Sequence, residues 1–112
     1  MTVILRRLAF VLAAACSGPA ALAQELPTFD VVARDGRLIP ARLEVPAGRR
    51  IKLVLKNEGP GPLEFENDEM RIEKVISAGV TSFIVLPPMK PGEYGFIDEF
   101  NPMTGELKII AK

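Results

Sequence analysis

"RLEVPAGRRIKLVLKN", residues 42–57, decides the fold. Apolar side chains fall on every second position. Leu43 and Val45 alternate with Arg42 and Glu44, and Ile51, Leu53 and Leu55 alternate with Lys52, Val54 and Lys56. A period of two sends successive side chains to opposite faces of an extended strand. Between the runs, Pro46-Ala47-Gly48 is turn text, because proline fixes φ and glycine accepts a positive φ. The stretch therefore reads as two short strands, each with one buried face.

The same pattern continues in both directions. Phe29, Val31 and Ala33 alternate with Asp30, Val32 and Arg34. Later come Thr81 to Leu86, then Tyr94 and Phe96, then Leu107, Ile109 and Ala111. "RDGR", "NEGPGP", "SAG", "PPMKPGE" and "NPMTGE" separate the runs. No segment keeps a helical period; the best candidate is one turn over Asn67 to Lys74, capped by Asn67 or Asp68. Strands at this spacing predict an all-β antiparallel Greek-key sandwich of about seven or eight strands. Its inward face is predicted to carry Phe29, Val31, Leu43, Val45, Ile51, Leu53, Leu55, Phe65, Phe83, Tyr94, Phe96, Leu107 and Ile109.

The first stretch reads differently. "MTVILRRLAFVLAAACSGPAALAQ" has a basic start at Arg6 and Arg7, an apolar run from Leu8 to Cys16, and an A-x-A site at Ala21-Leu22-Ala23. That is the pattern of a secretory signal peptide. The run is shorter than the roughly 20 residues that span a bilayer. Cleavage after Ala23 leaves a domain at residues 24–112, exported to the periplasm. Lipidation of Cys16 is the rival reading, and the intact A-x-A site favours ordinary cleavage.

Cleavage leaves all 14 acidic residues and 12 of the 14 basic ones, a net charge of −2. The chain has no histidine, and its one cysteine is Cys16. Imidazole base catalysis, thiolate chemistry and Cys/His zinc sites are therefore excluded from the domain. Nothing is basic enough to point to nucleic acid. The length suits one domain with one core, and nothing in the sequence points to an oligomer.

"PLEFENDEMRIEKV", residues 62–75, sets Glu64, Glu66, Asp68, Glu69 and Glu73 against Arg71 and Lys74 alone. Two readings stand. The acids are solvated and paired with nearby basic residues, or they hold a cation. Glu64 and Glu66 are two apart in a strand, so they share a face with Cα atoms roughly 6.6 Å apart. Glu69 and Glu73 share a face if the next turn is helical. Carboxylate oxygens are hard ligands, suited to iron, manganese, calcium or magnesium. Met70, Met89 and Met103 read as packing residues.

Residues 43–67, "LEVPAGRRIKLVLKNEGPGPLEFEN", followed by "PMKPGEYGF" at 88–96, resemble a cupredoxin. "LEFENDEMRIEKV" and "DEFNPMTGEL" further resemble the small periplasmic cupredoxin-like proteins associated with oxidase-dependent bacterial iron uptake. The resemblance covers nearly all of residues 29–110. A blue-copper site uses two His, one Cys and a weak axial ligand, often Met. The resemblance places these near Leu63 or Glu64, Asp98, Asn101 and Met103, so only a thioether remains and no type 1 copper is expected. The histidine expected of the iron-linked subgroup is also replaced, by Asn101. The fold implied by the resemblance brings the 98–103 loop beside Glu64 and Glu66 at one end of the sandwich. Glu64, Glu66, Asp98 and Glu99 are then the expected iron ligands, with Glu69, Glu73 and Met103 near them. The implied role is to bind iron and present it to a membrane iron permease or an associated periplasmic protein. Ferrous oxidation is implied by the resemblance alone; it needs an electron acceptor, so binding is favoured over catalysis. The alternative is a metal-free interaction module that docks on such a partner.

Overall fold

A computed structural model describes residues 25–112. The expected signal segment and Cys16 lie outside the described residues. Nine strands follow one another: β1 Thr28–Arg34, β2 Arg37–Ile39, β3 Arg42–Val45, β4 Ile51–Asn57, β5 Leu63–Asn67, β6 Ile72–Ile76, β7 Thr81–Leu86, β8 Gly92–Asp98 and β9 Glu106–Ala111. They form a four-stranded sheet, β2-β1-β4-β7, and a five-stranded sheet, β3-β9-β8-β5-β6. Among the described residues no helix is long and apolar enough to cross a membrane.

The all-β sandwich expected from the sequence is present, with one more strand than expected and with mixed sheets. β1 runs parallel to β4, and β3 runs parallel to β9. The turn after Val45 explains why. It carries the chain from β3 in one sheet to β4 in the other, so it closes no hairpin. Its hydrogen bonds reach distant segments: Ala47 N donates to Lys112 O and Gly48 N to Met89 O. Alternation alone does not say which sheet a strand joins.

The inward faces meet in one core. Val31, Val45, Ile51, Leu53, Leu55, Phe65, Phe96, Leu107 and Ile109 are buried as expected, with Phe29, Leu43 and Tyr94 packed against them. Phe65 and Phe96, side by side on β5 and β8, stack with ring centroids 5.0 Å apart. Leu38, Leu63, Ile76, Leu86 and Met89 complete the core.

Phe83 is the correction. It is 50% exposed. β7 sends Ile84 and Leu86 inward, and Leu86 is fully buried, so a period of two forces Phe83 to the outer face. There the Lys52 ammonium lies 4.5 Å from its ring centroid, and that of Lys74 lies 5.9 Å away. Phe83→Ala is therefore expected to cost about 1 kcal/mol or less in urea unfolding, the loss of exposed cation–π contacts.

The single helical turn is also absent. Residues 68–71 are a tight hairpin turn, in which Asn67 Oδ1 accepts from Met70 N at 2.8 Å and Arg71 takes a φ of 56°. Asn67 and Asp68 therefore act as turn residues rather than caps. The consequence is that Glu73 lies directly opposite Glu66 on the paired strands β5 and β6.

Candidate metal centre

Along β5, Leu63, Phe65 and Asn67 face the core, and Glu64 and Glu66 face the other side of the five-stranded sheet, where Glu66 is nevertheless only 8% exposed. β6 puts Glu73 opposite Glu66 and Val75 opposite Glu64. On the other side, Glu99 N donates to Glu64 O at 2.8 Å, which extends the β5–β8 pairing by one residue. Four carboxyl groups thus occupy neighbouring squares of one sheet face. Diagonal neighbours on a sheet lie within reach of long side chains. Glu64 comes near enough to Glu73, and Glu66 to Glu99, for one carboxyl of each pair to hydrogen-bond the other when protonated.

One oxygen each from Glu64, Glu66 and Glu73 lies within 4.8 Å of the others. Oxygens on opposite sides of a hard cation are about 4–5 Å apart, given bonds of about 2.0–2.6 Å. The three can therefore share one ion. The ion pairs of Arg34 and Lys56 with Glu58, of Lys108 with Glu93 and of Lys112 with Glu44 do not involve these acids. Lys74, their nearest basic neighbour in β6, extends toward the Phe83 ring instead.

The electrostatics fit a site short of positive charge. The Glu66 carboxyl is pushed up to about 7, first by its hydrogen bond to Glu99, then by burial and by repulsion from Glu99, Asp68 and Glu64. Glu64 is raised by its hydrogen bond to Glu73, then by burial and by repulsion from Glu73, Glu99 and Asp98. Two carboxyls can hydrogen-bond only when one holds a proton, and a cation that enters such a cluster competes with that proton.

A raised folded-state pKa stabilises the fold below the ordinary carboxyl value, and that contribution is lost as pH rises through the folded value. For Glu66 the window runs from about 4.5 to about 7. The metal-free protein should therefore melt at a higher temperature at pH 5 than at pH 8. Glu58, whose carboxyl is held low first by its hydrogen bond to Arg34, titrates below this window and does not offset the trend. Glu66→Gln should flatten the difference; an equal pH dependence in both proteins would contradict this assignment.

The other expected ligands are placed elsewhere. Asp98 is 3% exposed and points into the sandwich end beside Phe96. Its Oδ1 accepts from Glu64 N at 3.1 Å and Phe100 N at 3.0 Å, and its Oδ2 from Asn101 Nδ2 at 2.9 Å. Glu69 sits exposed in the β5–β6 turn. Met103 is 89% exposed and lines a separate hollow with Arg37 and Ile39. The structure thus gathers Glu64, Glu66, Glu73 and Glu99 on the outer sheet face, with Asp98 on the inner side. One signal for this was in the sequence: Asp98 is two residues after the inward Phe96, so it shares that face.

The sandwich end itself does not suit copper. Leu63, Asp98 and Asn101, which the resemblance sets at ligand positions, line one open cavity of about 370 Å³. An aliphatic side chain and a hydrogen-bonded acid–amide pair offer neither imidazole nor thiolate. The loop is fixed by other means. Thr104 Oγ1 donates to Gly36 O at 2.7 Å, and Gly105 lies so close that an added Cβ would sit 2.7 Å from Asp98 Cβ. Asn57, at the end of β4, holds the opposite wall by donating to Gly61 O and Ile76 O and accepting from Gly59 N.

Comparison with known proteins agrees with this architecture. The chain is 28% identical over 95 residues to the uncharacterized protein RP394 of Rickettsia prowazekii (strain Madrid E), spanning 85% of this chain and 76% of that one. It superposes on the metal-binding domain of the Cu(I)-exporting P-type ATPase CopA of Streptococcus pneumoniae D39 with a TM-score of 0.64, at 16% identity, covering 76% of this chain and 84% of that chain. In a heme-copper terminal oxidase dimer the match has a TM-score of 0.62 at 12% identity, and 77% of this chain covers 65% of that one. At these identities the solved structures speak for the fold alone. The model of the cupredoxin-like domain matches residues 6–111, nearly the whole sequence, and the chain belongs to the cupredoxin-like domain family.

Proposed function

We propose that the protein is an exported metal-handling domain that binds a hard cation, iron, through carboxylates and presents it to a membrane iron permease or an associated periplasmic protein. The convergence of Glu64, Glu66 and Glu73 within 4.8 Å carries this reading. It is supported by the raised carboxyls of Glu64 and Glu66, since a cation relieves the repulsion and burial that raise them. Oxygen donors without sulfur or nitrogen favour iron, manganese or calcium over copper(I). Glu99 lies beside this set, while Glu69 and Met103 lie outside it. The iron and the permease come from the sequence resemblance. The signal pattern of residues 1–23 supports export to the periplasm. Binding and delivery fit better than ferrous oxidation, which needs an electron acceptor beside the metal.

The test is an anaerobic titration with ferrous iron, followed by thermal melting, in wild type and Glu73→Gln. The expected result is a rise in melting temperature in the wild type and a smaller rise in the variant. Equal shifts in both would show that the ion binds elsewhere. With copper(II) the cleaved protein should stay without an intense visible band, because residues 24–112 hold no thiolate for charge transfer.

The second reading is a metal-free interaction module. Phe100, next to Glu99 in the chain and 52% exposed, favours it: a large apolar side chain stands open to solvent, as at a docking surface. Wild-type melting curves unmoved by ferrous iron, ferric iron and manganese(II) would favour this reading.

A further inference from the structure

Asp98 is a buried ionisable side chain that the proposed site does not use as a ligand. Its backbone N donates to Gly105 O, and its backbone O accepts from Asn101 N, both at 2.8 Å. Its side chain takes three further donors: Glu64 N, Phe100 N and Asn101 Nδ2. Two of these donors, Glu64 N and Phe100 N, flank the pairing of Glu64 with Glu99. Glu64 N is held by Asp98 Oδ1, and Glu64 O is held by Glu99 N. Phe100 N, held by the same Oδ1, fixes the chain just after Glu99. The β5–β8 ladder ends at this point, so the side chain supplies the hydrogen bonds that a longer strand would have supplied.

We propose that Asp98 is a positioning residue: from inside the sandwich its carboxyl fixes the backbone of Glu64 and Glu99, and so sets their side chains beside Glu66 and Glu73 on the outer face. This rests on the reading of the outer cluster as a cation site. Asp98 touches no ion itself. Its side chain is on the inward face of β8, whereas Glu99, one residue on, is on the outward face. Removing the carboxyl leaves two backbone donors without their acceptor, and the 99–105 loop is then free to leave β5.

The test separates geometry from charge. Asp98→Asn removes the charge and keeps an Oδ1 acceptor for Glu64 N and Phe100 N, with Asn101 able to turn its amide to match. Asp98→Ala removes both. Manganese(II) serves as the probe, with affinity read by electron paramagnetic resonance. Amide hydrogen exchange of Glu64, Glu99 and Phe100 is read in the metal-free proteins. Asp98→Ala is expected to weaken manganese binding about tenfold or more, the equivalent of one lost hydrogen bond to a charged group. Exchange at those three amides should rise by a similar factor, with core amides such as Leu53 unchanged. Asp98→Asn should stay within about threefold of wild type in affinity and keep the three amides protected. Equal losses in both variants would mean that Asp98 acts through its charge, and would overturn the proposal. So would a folded Asp98→Ala protein with wild-type affinity. If Asp98→Ala does not fold, Asp98→Asn decides: wild-type-like affinity and protection support positioning, and a tenfold loss overturns it. If the wild type binds no manganese, the cation reading fails; the exchange data still judge the tether, supported by loss of protection confined to residues 64, 99 and 100 and overturned by its retention in Asp98→Ala.

Discussion

Phe65→Ala should cost about 3–5 kcal/mol, as large-to-small changes at buried aromatic positions do. Phe65 is fully buried at the centre of β5 and stacks on Phe96, so the variant loses both the transfer of a ring from water and an aromatic contact. A domain of this size has roughly 5–15 kcal/mol of stability in total. The change therefore removes a large part of it. In urea, with a slope of about 1–3 kcal/mol/M, the midpoint should fall by more than about 1 M. Phe65 also lies between Glu64 and Glu66, so a loosened β5 disorders the cluster from below. Phe83→Ala is the matched control: the same residue type on the opposite kind of face, with a small expected effect. Similar costs for the two variants would contradict the inward and outward assignments of β5 and β7.

Glu64→Gln with Glu66→Gln should abolish metal-induced stabilisation. Glutamine keeps size and hydrogen bonding but removes two charges, and its neutral amide oxygen attracts a cation less than a carboxylate does. For the wild type, a cation at a hundredfold excess over Kd adds about 2.7 kcal/mol. In a domain this small that is a rise in melting temperature of roughly 10–20 °C. The double variant should show none of it. Its metal-free form should melt at or above the wild-type temperature at pH 8, because two carboxyls that ionise against their surroundings are gone. A double variant that is less stable without metal would mean that the carboxyls are structural.

Much of the fold was legible in residues 42–57 and their echoes, because burial of one face leaves a period of two in the sequence. What alternation does not carry is the partner of each strand. Two parallel pairings arise from crossings between sheets, and no local residue records them. Phe83 shows the same limit: Thr81 to Leu86 offers two apolar sets, Phe83 and Val85 or Ile84 and Leu86, and only packing against β4 chooses between them. For the site, Glu64 and Glu66 were visible as a same-face pair. Glu73 was read through a helical turn that the hairpin replaces. Its true relation to Glu66 depends on strand register, which the turn at Asn67 to Arg71 sets. Asp98 was counted with the ligands for its chemistry, although its spacing from Phe96 sends it inward.

Calorimetric titration of the cleaved wild-type protein with manganese(II) at pH 7.5, beside the Glu64→Gln/Glu66→Gln protein, tests the central claim most directly. Manganese(II) is a hard cation that does not oxidise in air at this pH on the time of the titration. The account predicts saturable binding of one ion per chain to the wild type and no saturable heat with the double variant. It also predicts partial proton release on binding, seen as a dependence of the heat on buffer, because the cation displaces the proton from Glu66, whose carboxyl is raised to about 7. Binding of equal strength to both proteins, or none to the wild type at millimolar manganese, would contradict it.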